Sequence, residues 1–266
     1  MSARPIRRRN VAAALAASLA IAAVPGAAFG APAVKSFAPL SSFNVPDGGV
    51  AEIVSASADG RTLVYTDSGA GAVGLVDITD PETPAFLETI DVGGEPTSVS
   101  VTDDDMAVVA VRKDVLEEGA PPQIVPGALL VIDLATNAIV KDIEIGHHPD
   151  SIATGVYDGT PFAVVAIENE PIVVDGDGNL TDGEEPGDPG DISGPGLVQV
   201  VNQADGTVND VPIALGAKYP FADDPQPEFV DLRGTRAVVS LQENNGYAII
   251  DVRLALMGKG ADAVRR

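Results

Sequence analysis

The segments PEFV (227–230), RAVVSLQENN (236–245) and YAIID (247–251) read as one phrase. Two short apolar strands are joined by a tight turn, a polar corner follows, and a third strand closes on Asp251. The phrase recurs three times upstream. Its copies begin at Ala51, Thr97 and Ser151, and each adds a fourth strand (86–92, 138–145 and 207–215). Two marks repeat with it: a proline ahead of the first strand (Pro96, Pro149, Pro227), and an apolar third strand ending on Asp77, Asp133, Asn202 or Asp251. Four short antiparallel strands in a repeat of about 45–50 residues, punctuated by Asp-Gly turns, specify a β-propeller. An ordinary β-sandwich has strands of similar length but no reason to repeat the phrase. The fold class expected is therefore all-β, with propeller repeats over 34–252 and a separate tail at 253–266.

The strand count leaves closure open. The last copy lacks its fourth strand, while Ser36–Val45 reads as a lone strand resembling a fourth one. Either that strand completes the last blade and closes a small four-bladed ring, or the four blades belong to a larger, incomplete propeller. The tail RLALMGKGADAVRR (253–266) drops the strand pattern for a short, basic, helix-like segment, which favours the second arrangement.

Composition narrows the function classes. Arg4 and Arg7–Arg9 precede an Ala-rich apolar run, Val11–Val24, and small residues follow around Gly30. This is the form of a secretory signal peptide over 1–30, and the run is shorter than the roughly 20 residues that span a bilayer. The expected location is outside the cytoplasm, secreted or periplasmic. The formal charge is -23, from 39 acidic and 16 basic residues, and no membrane span is expected after signal cleavage. Such a surface repels nucleic acid and anionic lipid and attracts cations. With no Cys and no Trp, the core must be Val, Ile, Leu and Ala, residues that favour strands.

The blocks AEIVSASADGRTLVYTDS, GLVDITDPETP, DVGGEPTSVSV, VAIENE, DDPQPEFVDL and VVSLQENN, spread over about 50–252, resemble the N-terminal propeller of exported bacterial proteins of the esterase-like activity of phytase family. They are similar, more distantly, to choice-of-anchor and alkaline-phosphatase-associated propellers. The resemblance implies an exported propeller. In that family a separate phytase-like domain carries the hydrolytic name, so no catalytic residue transfers to this chain.

Chemistry is expected on one face. In a propeller the B–C and D–A connections emerge together, and here they hold the acidic and irregular segments (67–72, 113–127, 169–196, 242–246; 46–49, 93–96, 146–149, 216–227). An unidentified ligand or protein partner is expected there. Glu52, Thr97, Asp150 and Glu228 share one register at the entry to each innermost strand, with Glu168, Glu170 and Glu243 nearby. Carboxylates converging on a channel mouth repel one another unless a cation sits between them, and oxygen ligands suit Ca²⁺. Solvated surface acid is the plain alternative. The insert after 168 sets Asp175, Asp177 and Asn179 at alternating positions like the opening of a calcium loop, with Asp182 following. Leu180 replaces the turn glycine of an EF-hand and Pro186 its bidentate Glu, and no helices flank the loop.

Other chemistries are poorly supplied. His147 and His148 read as an exposed turn, there is no Gly-x-Ser-x-Gly elbow, and Lys and Arg are too few and scattered to cradle a polyphosphate. The reading favoured is a non-catalytic, ligand- or cation-binding module. The alternative is a calcium-dependent phosphoesterase using Glu52, Asp150, Glu228 and Glu243.

Overall fold

A computed structural model describes residues 38–113, 125–168, 173–174, 180–181 and 196–265. The first sheet is a meander of β1 (Ala51–Ala56), β2 (Thr62–Asp67), β3 (Ala72–Asp77) and β4 (Ala85–Asp91). The second repeats it with β5 (Glu95–Val101), β6 (Met106–Arg112), β7 (Gly127–Asp133) and β8 (Ala138–Ile145). In the third, β9 (Pro149–Tyr157) and β10 (Thr160–Ile167) are separated from β13 (Gly196–Asn202) and β14 (Val208–Ile213) by a two-stranded ribbon of β11 (Val173–Val174) and β12 (Leu180–Thr181). The fourth holds β15 (Pro227–Arg233), β16 (Arg236–Leu241) and β17 (Gly246–Asp251), followed by a short helix α1 (Val252–Leu256). All pairings are antiparallel. The repeats are propeller blades.

The apolar strands do not alternate because both of their faces are buried. On β6, Ala107, Val109 and Val111 pack toward the first blade, while Val108 and Ala110 pack toward the third. A further core joins the third blade to the fourth around Phe162, Val198, Val239 and Ile250. Three such cores serve four blades. The innermost strands β1, β5, β9 and β15 touch in that order, and no comparable contact joins the fourth blade to the first among the described elements. The outward face of the fourth blade stays open, with Phe229, Val238 and Tyr247 at 60%, 42% and 68% exposure. Among the described residues the blades form an open arc rather than the small closed ring.

The lone N-terminal strand is also not formed over its described part. Residues 38–45 are irregular, and a 3-10 turn follows at Pro46–Gly48. Pro39 and Pro46 cannot donate to a ladder, and Phe43 finds a better partner on the first blade, 6.4 Å from the Tyr65 ring. Ser41 Oγ donates to Pro81 O there at 2.6 Å. Tyr65 in turn lies over its cross-strand partner Gly74, where any Cβ would run into the ring.

The tail takes the edge of the last blade instead. Val264 bridges Ile250, Arg265 N donates to Ile249 O at 2.8 Å, and Asp251 N donates to Ala263 O at 2.8 Å. Val252, Ala255 and Ala263 complete the core between the third and fourth blades. Asp251 fastens this arrangement. Its carboxylate accepts the Arg253 fork (Nε 3.0 Å, Nη2 2.7 Å) and Arg265 Nη2. The Arg253 hydrogen bond and charge, assisted by Arg265, hold its pKa down at about 2. A depressed folded pKa contributes stability above the ordinary carboxylate range and loses it as pH falls through the folded value. Protection of the Arg265 amide from hydrogen exchange, relative to Val109 in the core, is therefore expected to drop between about pH 4 and pH 2. Unchanged relative protection would show that the carboxylate does not hold the tail.

Candidate functional site

The mouth of the arc is built by β-bulges. On each innermost strand the pairing register shifts at the same place, between Ala51 and Val54, Pro96 and Ser98, Pro149 and Ile152, and Pro227 and Val230. An extra residue there re-aims side chains at the end of the strand, which is why Glu52, Thr97, Asp150 and Glu228 occupy equivalent positions. Hydroxyls on the neighbouring strand satisfy the amides the bulges free: Ile53 N donates to Thr66 Oγ1 at 3.1 Å, and Phe229 N to Ser240 Oγ at 3.0 Å. Other hydroxyls tie blade to blade. Val101 N donates to Ser55 Oγ, Ile152 N to Ser98 Oγ and Val230 N to Ser151 Oγ, at 3.0, 3.3 and 3.2 Å. Thr97, the one non-carboxylate of the register, donates from Oγ1 to Pro149 O at 2.7 Å and so serves the blade contact.

The carboxylates of the register meet different environments. Glu52 is exposed and Glu228 is buried. Asp150 is partly buried, and burial pushes its pKa up to about 6; among the described residues no cation offsets that shift. Glu243, in the corner between β16 and β17, has Oε2 buried without a hydrogen-bond partner among the described residues, while Oε1 faces Gln242 Nε2 at 3.5 Å. Among the described residues no three His, Asp or Glu side chains are grouped so as to hold a metal. Asp175, Asp177, Asn179, Asp182 and Glu170 lie outside the described residues.

His148, two residues before Asp150 in the chain, belongs to a cluster that sequence reasoning missed. His148 is buried, contrary to the exposed turn expected of it. Its Nε2 is 3.4 Å from Arg112 Nη1 and 3.8 Å from Glu168 Oε2. The connection is drawn inward because Glu168 N donates to His148 O at 2.9 Å and Gly146 N donates to Gln199 Oε1 at 2.8 Å. One signal was available: Pro96, Pro149 and Pro227 are all buried, so residues flanking the recurring proline sit inside the mouth.

The opposite face is not plain. Arg233, Arg236, Arg253 and Arg265 line a recess of about 450 Å³ with Thr235 and Asp251. Arg233 and Arg236 flank the turn of the last hairpin, and the tail folds back to bring Arg253 and Arg265 beside them. The expectation that basic residues are scattered fails here.

The choice-of-anchor I domain matches residues 52–256, from the first bulge through α1. The chain belongs to that family. The choice-of-anchor kinship stands, then, while the family matched is not the phytase-named one. No curated protein matches the chain. Among solved structures, this choice-of-anchor I chain is similar to the hydrazine synthase of Kuenenia stuttgartiensis (18% identity, TM-score 0.42, 80% of this chain and 68% of that one). It is similar to apo AztD from Citrobacter koseri (10%, TM-score 0.46, 77% and 45%). It is also similar to a functionally unknown protein from Desulfotomaculum acetoxidans DSM 771 (15%, TM-score 0.40, 81% and 70%). These likenesses concern the fold alone.

Proposed function

We propose that this choice-of-anchor I chain is an exported, non-catalytic binding module. Its B–C and D–A face takes a hard cation, Ca²⁺ above all, or a ligand presenting one, at the inner-strand carboxylates. The observation that carries the reading is Asp150, a carboxylate whose pKa burial raises to about 6 with no compensating charge among the described residues. Keeping such a group ionised costs stability, and a bound cation offsets that cost. The buried, unpartnered oxygen of Glu243 is a second acceptor of the same kind. Because no three described carboxylates group together, a cation at Asp150 would keep much of its water. That suits a weak site, with Kd of order 10⁻⁴–10⁻³ M as in extracellular calcium modules. The insert with Asp175, Asp177, Asn179 and Asp182 supplies a second set of oxygens. Export rests on the basic, apolar and small-residue segments of 1–30.

Calcium titration of the purified chain by calorimetry tests this. Binding is expected in the wild type and at least tenfold weaker in Asp150→Asn. Binding indifferent to Asp150→Asn but lost in Asp175→Asn/Asp177→Asn would move the site to the insert, against the assignment made here. The second reading, a calcium-dependent phosphoesterase, rests on the resemblance to the phytase-named propellers. Calcium-dependent turnover of a phosphomonoester by this chain would replace the binding-module reading with that one.

A further inference from the structure

We propose that the recess lined by Arg233, Arg236, Arg253 and Arg265 is a binding site for a tetrahedral oxyanion of the sulfate or phosphate type. It lies at the β15–β16 turn and the end of β17, on the side away from the B–C and D–A connections. The proposal stands apart from the cation site at Asp150.

The first observation is a charge surplus. Among the described residues Asp251 is the one acid lining the recess. Its side chain is 4% exposed and already accepts from the Arg253 guanidinium, the Arg253 amide at 3.2 Å and Arg265. Arg236 is the cross-strand partner of Asp251, yet it makes no ion pair with it. Neither Arg233 nor Arg236 takes part in an ion pair or side-chain hydrogen bond within the described residues. All four arginines are exposed, and they concentrate positive charge at one place in a chain with only 16 basic residues against 39 acidic ones.

The second observation is local. Arg233 and Arg236 stand directly opposite each other across the Gly234-Thr235 turn, and like charges so placed destabilise a hairpin. The same turn in the third blade is flanked by Tyr157 and Thr160, which carry no such penalty. An anion between the two guanidiniums converts the repulsion into two forked, charge-assisted contacts, the geometry that arginine offers to oxyanions. A recess of about 450 Å³ admits a small anion or the oxyanion end of a larger one.

The test is calorimetric titration of the purified chain with inorganic sulfate and inorganic phosphate at fixed ionic strength in chloride. Wild type is expected to bind, and Arg233→Gln/Arg236→Gln to bind at least tenfold more weakly, with Lys218→Gln and Asp150→Asn unchanged. Phenyl phosphate and phenyl sulfate separate a free ion from an esterified one: tighter binding than the inorganic ion assigns the site to an ester end, and equal binding to the ion itself. If the double variant fails to fold by circular dichroism, Arg236→Lys keeps the charge, loses the fork and is expected to bind three- to tenfold more weakly. A folded double variant that binds like wild type overturns the proposal. So does a wild type that binds neither ion, including the case where it self-associates through these arginines instead.

Discussion

Phe162→Ala is expected to lower stability by about 3–5 kcal/mol, the range for truncating a fully buried aromatic. Phe162 is fully buried in the core that joins the third blade to the fourth. Its ring covers the cross-strand glycine, Gly155, and lies in a pocket shared with Leu232 of β15. The surrounding core is mostly Val and Ala, short side chains with little reach to refill the space left by a ring. The loss therefore combines transfer free energy with a cavity that does not collapse. A urea titration followed by circular dichroism reads it. A shift worth less than about 1 kcal/mol would mean that the two blades do not share this core.

Asp150→Asn is expected to act in the opposite direction and raise stability at neutral pH by about 1–3 kcal/mol. The folded pKa of about 6 lies above the ordinary value of 3.8. The fold therefore favours the protonated acid and is penalised when it ionises. The penalty is absent below about pH 4, grows as pH rises through 6 and is complete by neutral pH. The advantage of the variant should follow that curve. Thermal or urea unfolding of both proteins at pH 4, 5, 6 and 7 measures it. Added calcium should narrow the gap at pH 7, since a bound cation stabilises only the wild-type carboxylate. A variant less stable than wild type at every pH would show that the Asp150 carboxylate makes stabilising contacts.

The parts of this architecture that local chemistry decides were legible in the sequence. The recurring Asp or Asn at the end of each third strand is a turn device. Asp77, Asp133, Asn202 and Asp251 accept the amide two residues on, from Thr79, Ala135, Ala204 and Arg253, at 2.8, 2.8, 2.9 and 3.2 Å. The shared register of Glu52, Thr97, Asp150 and Glu228 was legible too, because each repeat carries the same bulge. What a one-dimensional reading lacked is how each copy is buried. Four equivalent positions proved to be an exposed acid, a hydroxyl tied to the next blade, an acid with a raised pKa and a buried acid. Contacts between distant segments were equally hidden. Phe43 on Tyr65, the tail along β17, His148 against Arg112 and Glu168, and Arg265 of the tail beside the Arg233–Arg236 hairpin each join residues that no local pattern links.

Asp150 is the central group of this face, and its carboxyl pKa can be read directly by carbon-13 NMR titration of the labelled chain with and without calcium. A value near 6 without calcium, falling clearly when calcium is added, is the predicted result. A value near 3.8 without calcium, or one that calcium leaves unmoved, would contradict the claim that this face is built around an uncompensated carboxylate waiting for a cation.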